Sequence, residues 1–194
     1  MAERFPSVSA LATLATAGDD ASSPASAGVS FTERAVIRAL QVAGPRDREA
    51  AARAVGLSRL PGTNRSAGNG AVRCYWIAPE TWLVIAYGPS DSLRDKLAAV
   101  FEVAADASGG WTVIRAEGPA VRPALAAQCT LDLHPAVFQT GHCAQTRMGH
   151  IGVLIDRPPG EDRFDLVVGR SFAIALVESL AETSAYRGCT VRSA

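Results

Sequence analysis

Histidine and cysteine carry most of the reactive chemistry this chain can offer, and His134, His142, Cys143 and His150 fall within one short stretch. Imidazole and thiolate are zinc ligands, so a metal site is the first chemistry to weigh. The spacing matches no finger or ribbon, and no second ligand pair lies elsewhere. His142 and Cys143 are adjacent, which in an extended segment sends their side chains to opposite faces. The second chemistry is a nucleophilic thiol, Cys129 or Cys143, with His134 as base and Asp132 as its orienting carboxylate. Such a thiol needs a lowered pKa and a base within hydrogen-bond reach. Cys129 instead completes the helical stripe Val121, Ala124, Leu125, Cys129, which marks a small core residue. No catalytic, cofactor-binding or metal-binding residue is expected in this chain.

Two weaker signals read the same way. Gly62, Gly68 and Gly70, with Asn64, Arg65 and Asn69, suggest a phosphate cradle. The loop lacks the known phosphate-loop spacings and no helix follows it, so it reads as a connection. Trp76, Trp82 and Trp111 could stack on a flat ligand, but all three lie in or beside expected strands, where packing is the commoner fate.

The elements that would position these residues read as stated twice. Val36-Ile-Arg-Ala39 precedes Gly44-Pro45 and an alanine-rich helical stretch; Val113-Ile-Arg-Ala116 precedes Gly118-Pro119 and another. Proline is tolerated near a first helical turn because its missing N–H would lack an intrahelical partner there anyway. In the first unit, strands over 71–77 and 82–87 flank a turn at Pro79-Glu80. A helix then starts near Ser92, with Asp95 completing a capping box and Leu93, Leu97, Val100 and Phe101 on one face. In the second, strands over 145–156 and 164–168 flank the turn 158–162. A last helix is capped by Ser171, with Phe172, Ala175, Leu176, Ser179 and Leu180 inward. The chain thus reads as β-α-β-β-α twice, over about 31–104 and 111–186, an α+β fold in which a mixed sheet carries helices on its faces.

The bulk composition fits one folded body over 29–190. Apolar residues make up 48% of the 194-residue chain and the formal charge is zero, which argues against nucleic acid or an anionic membrane as partner. Lys96 is the only lysine, so the positive charge is almost all arginine, the cation suited to bidentate pairing and protein interfaces. Four widely spaced cysteines in a chain this long read as reduced cytosolic thiols. Residues 1–28 read as a loosely ordered tail, since Asp19 to Gly28 is Ala, Ser, Pro and Gly with acids. Val8 to Ala17 is mildly apolar, but Glu3 and Arg4 give no net positive start, so a cytoplasmic protein is expected over a secreted one.

Several pieces, in order, resemble the gamma subunit family of heterotetrameric sarcosine oxidase. Leu60-Pro61 with Asn64 comes first, then Ala78-Pro79-Glu80-Thr81-Trp82-Leu83. Asp106-Ala-Ser108, Thr112-Val-Ile-Arg115 and Glu117-Gly-Pro119 follow. Cys129 to Phe138 holds an Asp-Leu-His-Pro elbow, succeeded by Cys143 to Thr146, Phe164-Asp-Leu166 and Arg170-Ser-Phe172. One departure is Asp106-Ala-Ser-Gly-Gly-Trp111, which replaces a more polar run. The resemblance implies a fold like the folate-binding domain of the glycine-cleavage T-protein (GcvT-like) and a non-catalytic structural subunit. The complex would oxidatively demethylate sarcosine to glycine, with peroxide and a folate-captured one-carbon unit. It implies alpha, beta and delta partner subunits, chiefly alpha, which would hold FAD, FMN, NAD, tetrahydrofolate and zinc. The alternatives are a gamma-type subunit of a related N-methyl amino acid oxidase or dehydrogenase, or a small folate-binding aminomethyltransferase-like domain. Asp132, Leu133, His134, Pro135 and Phe138 of the elbow, with Trp82, are the expected interface.

Overall fold

The structure is a computed structural model that describes residues 9–12 and 28–193. Of the expected tail over 1–28, all but residues 9–12 and Gly28 lies outside the described residues, and so does most of the Val8 to Ala17 run.

The strands are β1 (Val29–Arg34), β2 (Arg38–Pro45), β3 (Ser66–Gly68), β4 (Val72–Ala78), β5 (Thr81–Ala86), β6 (Phe101–Asp106), β7 (Trp111–Glu117), β8 (Cys143–Met148), β9 (Ile151–Asp156), β10 (Arg163–Gly169) and β11 (Cys189–Arg192). The helices are α1 (Arg48–Ala54), α2 (Leu93–Val100), α3 (Val121–Ala126) and α4 (Ala173–Ser184). Two sheets form where the sequence suggested one. The first has the order β3-β4-β5-β2-β6, the second β8-β9-β10-β7-β1-β11. All pairings are antiparallel except β1 with β11. The second sheet is therefore mixed.

Written in this way, the two orders correspond strand for strand, with β1 inserted between β7 and β11. The duplication is real, but each copy builds its own sheet and each adds strands the sequence reading omitted. The helical stripe ending at Phe101 stops at Val100, and Phe101 opens β6. The expected long strand over 145–156 folds back at Gly149, whose φ of +55° makes a tight turn between β8 and β9. The repeated Val-Ile-Arg-Ala is not the repeat unit. Its copies lie 77 residues apart, whereas the Gly-Pro corners lie 74 apart. The ladders match the corners: Ala43 faces Thr81 just before Gly44, and Glu117 faces Arg163 just before Gly118.

The layers run helix, sheet, sheet, helix. Ala51 and Val55 of the α1 region and Leu93 and Leu97 of α2 pack with Trp82, Val84 and Phe101 on one outer face. Val121, Ala124, Leu125 and Cys129, with Ala173, Leu176, Val177 and Leu180 of α4, pack with Phe31, Ile114, Phe164 and Leu166 on the other. Between the sheets lie Ala39, Tyr75, Leu83, Ile85, Val113, Leu154 and Val167. Strand alternation produces this division: along β10, Phe164, Leu166 and Val168 face the helices while Val167 faces the opposite sheet.

Local signals fared unevenly. Asp47, not singled out in the sequence, caps α1 by accepting from the backbone N–H groups of Glu49 and Ala50. Ser92 and Ser171 make no side-chain cap; a 3-10 turn over 170–172 leads into α4 instead. That turn rotates the α4 stripe, so Phe172 is 56% exposed and Ala175 exposed, while Ala173 and Val177 are buried. Residues 9–12 belong to the fold: Leu11 is fully buried against the α3–α4 layer.

Candidate functional site

The polar groups that the fold concentrates lie between the sheets, at the end away from Trp111. Arg73 and Tyr75 on β4 share the inward face of the first sheet. Arg115 on β7, Asp156 on β9 and Asp165 on β10 occupy inward positions of the second, two residues from Val113, Leu154 and Val167. Both aspartates are fully buried. Asp156 accepts from Arg73 Nε and Nη2 at 2.6 and 2.9 Å, and from the Ser66 hydroxyl. Asp165 accepts from Arg115 Nε and Nη2 at 2.8 and 2.9 Å and from Arg34 Nη1 at 3.1 Å. The Arg34 guanidinium lies 3.5 Å over the Tyr87 ring, and the Tyr87 and Tyr75 hydroxyls are 3.1 Å apart.

Burial pushes the Asp156 carboxyl up, with the Arg73 fork and Ser66 pulling against it. Burial would lower Arg73, but its bonds to Asp156 and that carboxylate's charge outweigh it and hold the guanidinium above its ordinary range. Burial, with the Asp165 charge, pushes the Tyr87 phenol up to about 12. Arg73 therefore stays charged and Tyr87 neutral near neutrality, which suits binding and cross-linking better than proton transfer.

The residues singled out from the sequence are dispersed. His134 is exposed; its Nδ1 accepts from Ala136 N–H at 3.2 Å, and its own N–H donates to Asp132 Oδ1 at 2.8 Å. Together these bonds make the expected elbow. His142 packs edge-on against Phe138, while Cys143 turns the other way, into the inter-sheet core. His150 sits exposed in the β8–β9 turn. Among the described residues, no group of three or more His, Cys, Asp or Glu side chains could hold a metal ion. Burial pushes the Cys143 thiol up to about 12 and raises Cys129; neither is an activated nucleophile.

The set Asp132, Leu133, His134, Pro135, Phe138 and Trp82 divides. Asp132, His134 and Pro135 are exposed, but Leu133 and Phe138 are buried in the α3–α4 core, Phe138 stacking on Phe164. Trp82 is 2% exposed and its indole N–H donates to Pro61 O at 2.8 Å. These three cannot present a surface, because the core takes them up. Trp76 faces Trp82 across the β4–β5 ladder, whereas Trp111 packs between the sheets, so the tryptophans form no common platform. The glycine loop divides: Gly62, Asn64 and Arg65 precede β3, while Gly68 to Gly70 form the β3–β4 turn, closed by Asn69, whose Oδ1 accepts from Ala71 and Val72 N–H at 3.2 and 3.0 Å. Sequence reasoning missed the buried ion pairs in the gap between the sheets, of which Arg73–Asp156 joins the two sheets and the Asp165 pairs join strands of the second. Their signal was present: a charged residue standing two places from inward apolar residues of a strand.

Residues 41–186 match the family model described as sarcosine oxidase, gamma subunit family. No curated protein sequence matches the chain. Among solved structures, a chain of the heterotetrameric sarcosine oxidase from Corynebacterium sp. U-96, in complex with pyrrole 2-carboxylate, is similar at 26% identity and a TM-score of 0.81. The match covers 92% of this chain and 95% of that one. The glycine cleavage system aminomethyltransferase T from Bartonella henselae shares the fold at 16% identity and a TM-score of 0.64, over 86% of this chain and 48% of that one.

Proposed function

The chain belongs to the sarcosine oxidase gamma subunit family, and from that premise we propose that it is a structural, non-catalytic subunit of a multisubunit sarcosine oxidase. The observation that carries this reading is the near end-to-end likeness, 92% of one chain on 95% of the other, to a chain of a heterotetrameric enzyme. The chemistry of the site agrees with it. Buried thiols raised above their ordinary values and carboxylates held by arginine give rigidity rather than turnover.

In this reading the chain packs chiefly on a large alpha subunit, in an assembly that also holds beta and delta chains. The flavins, NAD, tetrahydrofolate and zinc of the oxidative demethylation belong to those partners. The contact surface is the exposed side of the elbow, Asp132, His134 and Pro135 with Val137, which is 52% exposed. Among the described residues, no helix is long and apolar enough to cross a membrane.

The test is co-purification. The tagged chain, expressed with its neighbouring genes, should bring down large flavin-containing chains in fixed ratio. Recovery as a lone monomer, or turnover of an N-methyl amine by the lone chain, overturns the reading.

A further inference from the structure

We propose that the cleft where the two sheets part, beside Arg34 and Arg115, is a binding site for a compact monoanionic carboxylate. The inference goes beyond the structural-subunit reading and does not depend on it. The cleft holds about 360 Å³, at the small end of the range for ligand sites. Asp165 and Arg73 line its inner part, Arg34, Arg115 and Tyr87 its walls, and Gly68 to Gly70 with Pro158 and Pro159 its rim.

Charge is the first argument. Four arginines line the cleft, Arg34, Arg73, Arg115 and Arg163. Arg73 is matched by Asp156 and Arg163 by Glu117, but Arg34 and Arg115 both bind the single carboxylate of Asp165. One positive charge is left over, in a recess walled by protein where a charge acts more strongly than in water.

Donor geometry is the second. A guanidinium carries five N–H donors in a flat fork that fits a carboxylate. Arg34 gives one bond to Asp165, at 3.1 Å, through Nη1 alone. Its side chain and that of Arg115 remain 22% and 20% exposed, on the cleft. Tyr87 holds the Arg34 plane at 3.5 Å, so little side-chain freedom remains to be lost on binding. A cross-link between the sheets needs neither the surplus charge nor the cavity. Arg73 with Asp156 makes that link fully paired.

The experiment titrates the full chain with sodium acetate against sodium chloride at matched ionic strength, by calorimetry and thermal shift. A saturable acetate response is expected, with Kd of about 1–10 mM for so small a ligand. Arg34→Gln, which keeps the Arg115–Asp165 pair, should weaken it at least tenfold. Arg48→Gln, on the opposite outer layer, should not change it. Circular dichroism and the melting curve in chloride establish that each variant is folded. An acetate response equal to chloride, or unchanged in folded Arg34→Gln, overturns the proposal. The same titration on the co-purified assembly separates the sources of the carboxylate. Retained binding identifies a soluble ligand. Binding seen in the free chain and lost in the assembly identifies a partner's acidic side chain or C-terminus. Both support the site, and neither outcome turns on whether the chain is catalytic.

Discussion

Arg73 of β4 and Asp156 of β9 face each other across the gap between the two sheets, with Arg73 Nε and Nη2 at 2.6 and 2.9 Å from the two carboxylate oxygens. The pair is the polar counterpart of the apolar packing of Leu83 and Ile85 on Leu154 and Val167. It fixes which strand of one copy lies over which strand of the other, which apolar contacts alone specify loosely. Ser66 completes the fork by accepting from Arg73 Nη2 at 2.8 Å while its hydroxyl reaches Asp156.

Breaking that pair should be costly and removing it whole should not. Asp156→Ala leaves a buried guanidinium without its carboxylate and should lower stability by about 3–5 kcal/mol. Arg73→Met with Asp156→Leu and Ser66→Ala should recover most of the loss, because no side chain of the network then needs a polar partner. Urea unfolding of both variants measures the difference. Equal losses would show that the charges themselves, not their mutual satisfaction, hold the sheets in place.

Glu33 makes a pH-dependent clasp for residues 9–12. Its carboxylate, 5% exposed, accepts from Ala10 and Leu11 N–H at 3.0 and 3.1 Å, from Thr112 Oγ1 at 2.9 Å and from the Ser9 hydroxyl. Burial pushes its pKa up, but these donors together outweigh that and hold it below the ordinary glutamate value. A depressed folded-state value means that the unfolded chain binds the proton more tightly. The clasp's stability is therefore full above the unfolded glutamate's pKa and is lost as pH falls through the lower, folded-state value. Amide exchange at Ala10 and Leu11 should accelerate over that acid window while the β7 and β10 amides stay protected. In Glu33→Gln the acceleration should already be present at neutral pH, with an overall loss of about 1–3 kcal/mol.

The sequence announced the doubled architecture through its Gly-Pro corners, the α3 stripe and the Pro79-Glu80 turn, because turn chemistry and apolar period act locally. It did not announce the separation into two sheets. Strand alternation tells which residues share a face, but not whether the covering layer is a helix or another sheet. Nor did it place Trp82, Leu133 and Phe138: bulky apolar residues beside a stiff elbow serve an interface or a core equally well. The aspartates on β9 and β10 were legible only to the extent that their inward positions were, and Asp156 stood hidden at the end of what looked like a single long strand.

The elbow and Trp82 should now behave differently when altered. Trp82→Ala removes a buried ring and its bond to Pro61 and should lower stability by about 3–5 kcal/mol. Asp132→Ala with His134→Ala removes exposed turn bonds worth about 1 kcal/mol. The double variant should instead reduce the yield of co-purified partner chains. A normal yield beside a similarly small stability loss would move the contact surface away from the elbow.

The two Gly-Pro corners provide the sharpest contrast between the copies. Both glycines have positive φ, +62° at Gly44 and +123° at Gly118, so alanine is strained at either. What a methyl group would meet differs. At Gly44 it would come within 2.7 Å of Glu102 Oε2, the far end of an exposed side chain that can swing away, and 3.1 Å from its Cβ, which need give only slightly. At Gly118 it would come within 2.6 Å of the backbone oxygen of Gly28, just where β1 enters the second sheet beside β7. That oxygen accepts from Ala120 N–H at 2.8 Å and cannot retreat without loosening the entry to α3. Gly44→Ala should therefore cost about 1 kcal/mol, close to the backbone term alone. Gly118→Ala should cost at least twice that, and hydrogen exchange should show the extra loss at the start of β1 and in α3. Equal melting temperatures for the two variants would mean that the inserted strand β1, which among the described residues has no counterpart in the first copy, is free to shift.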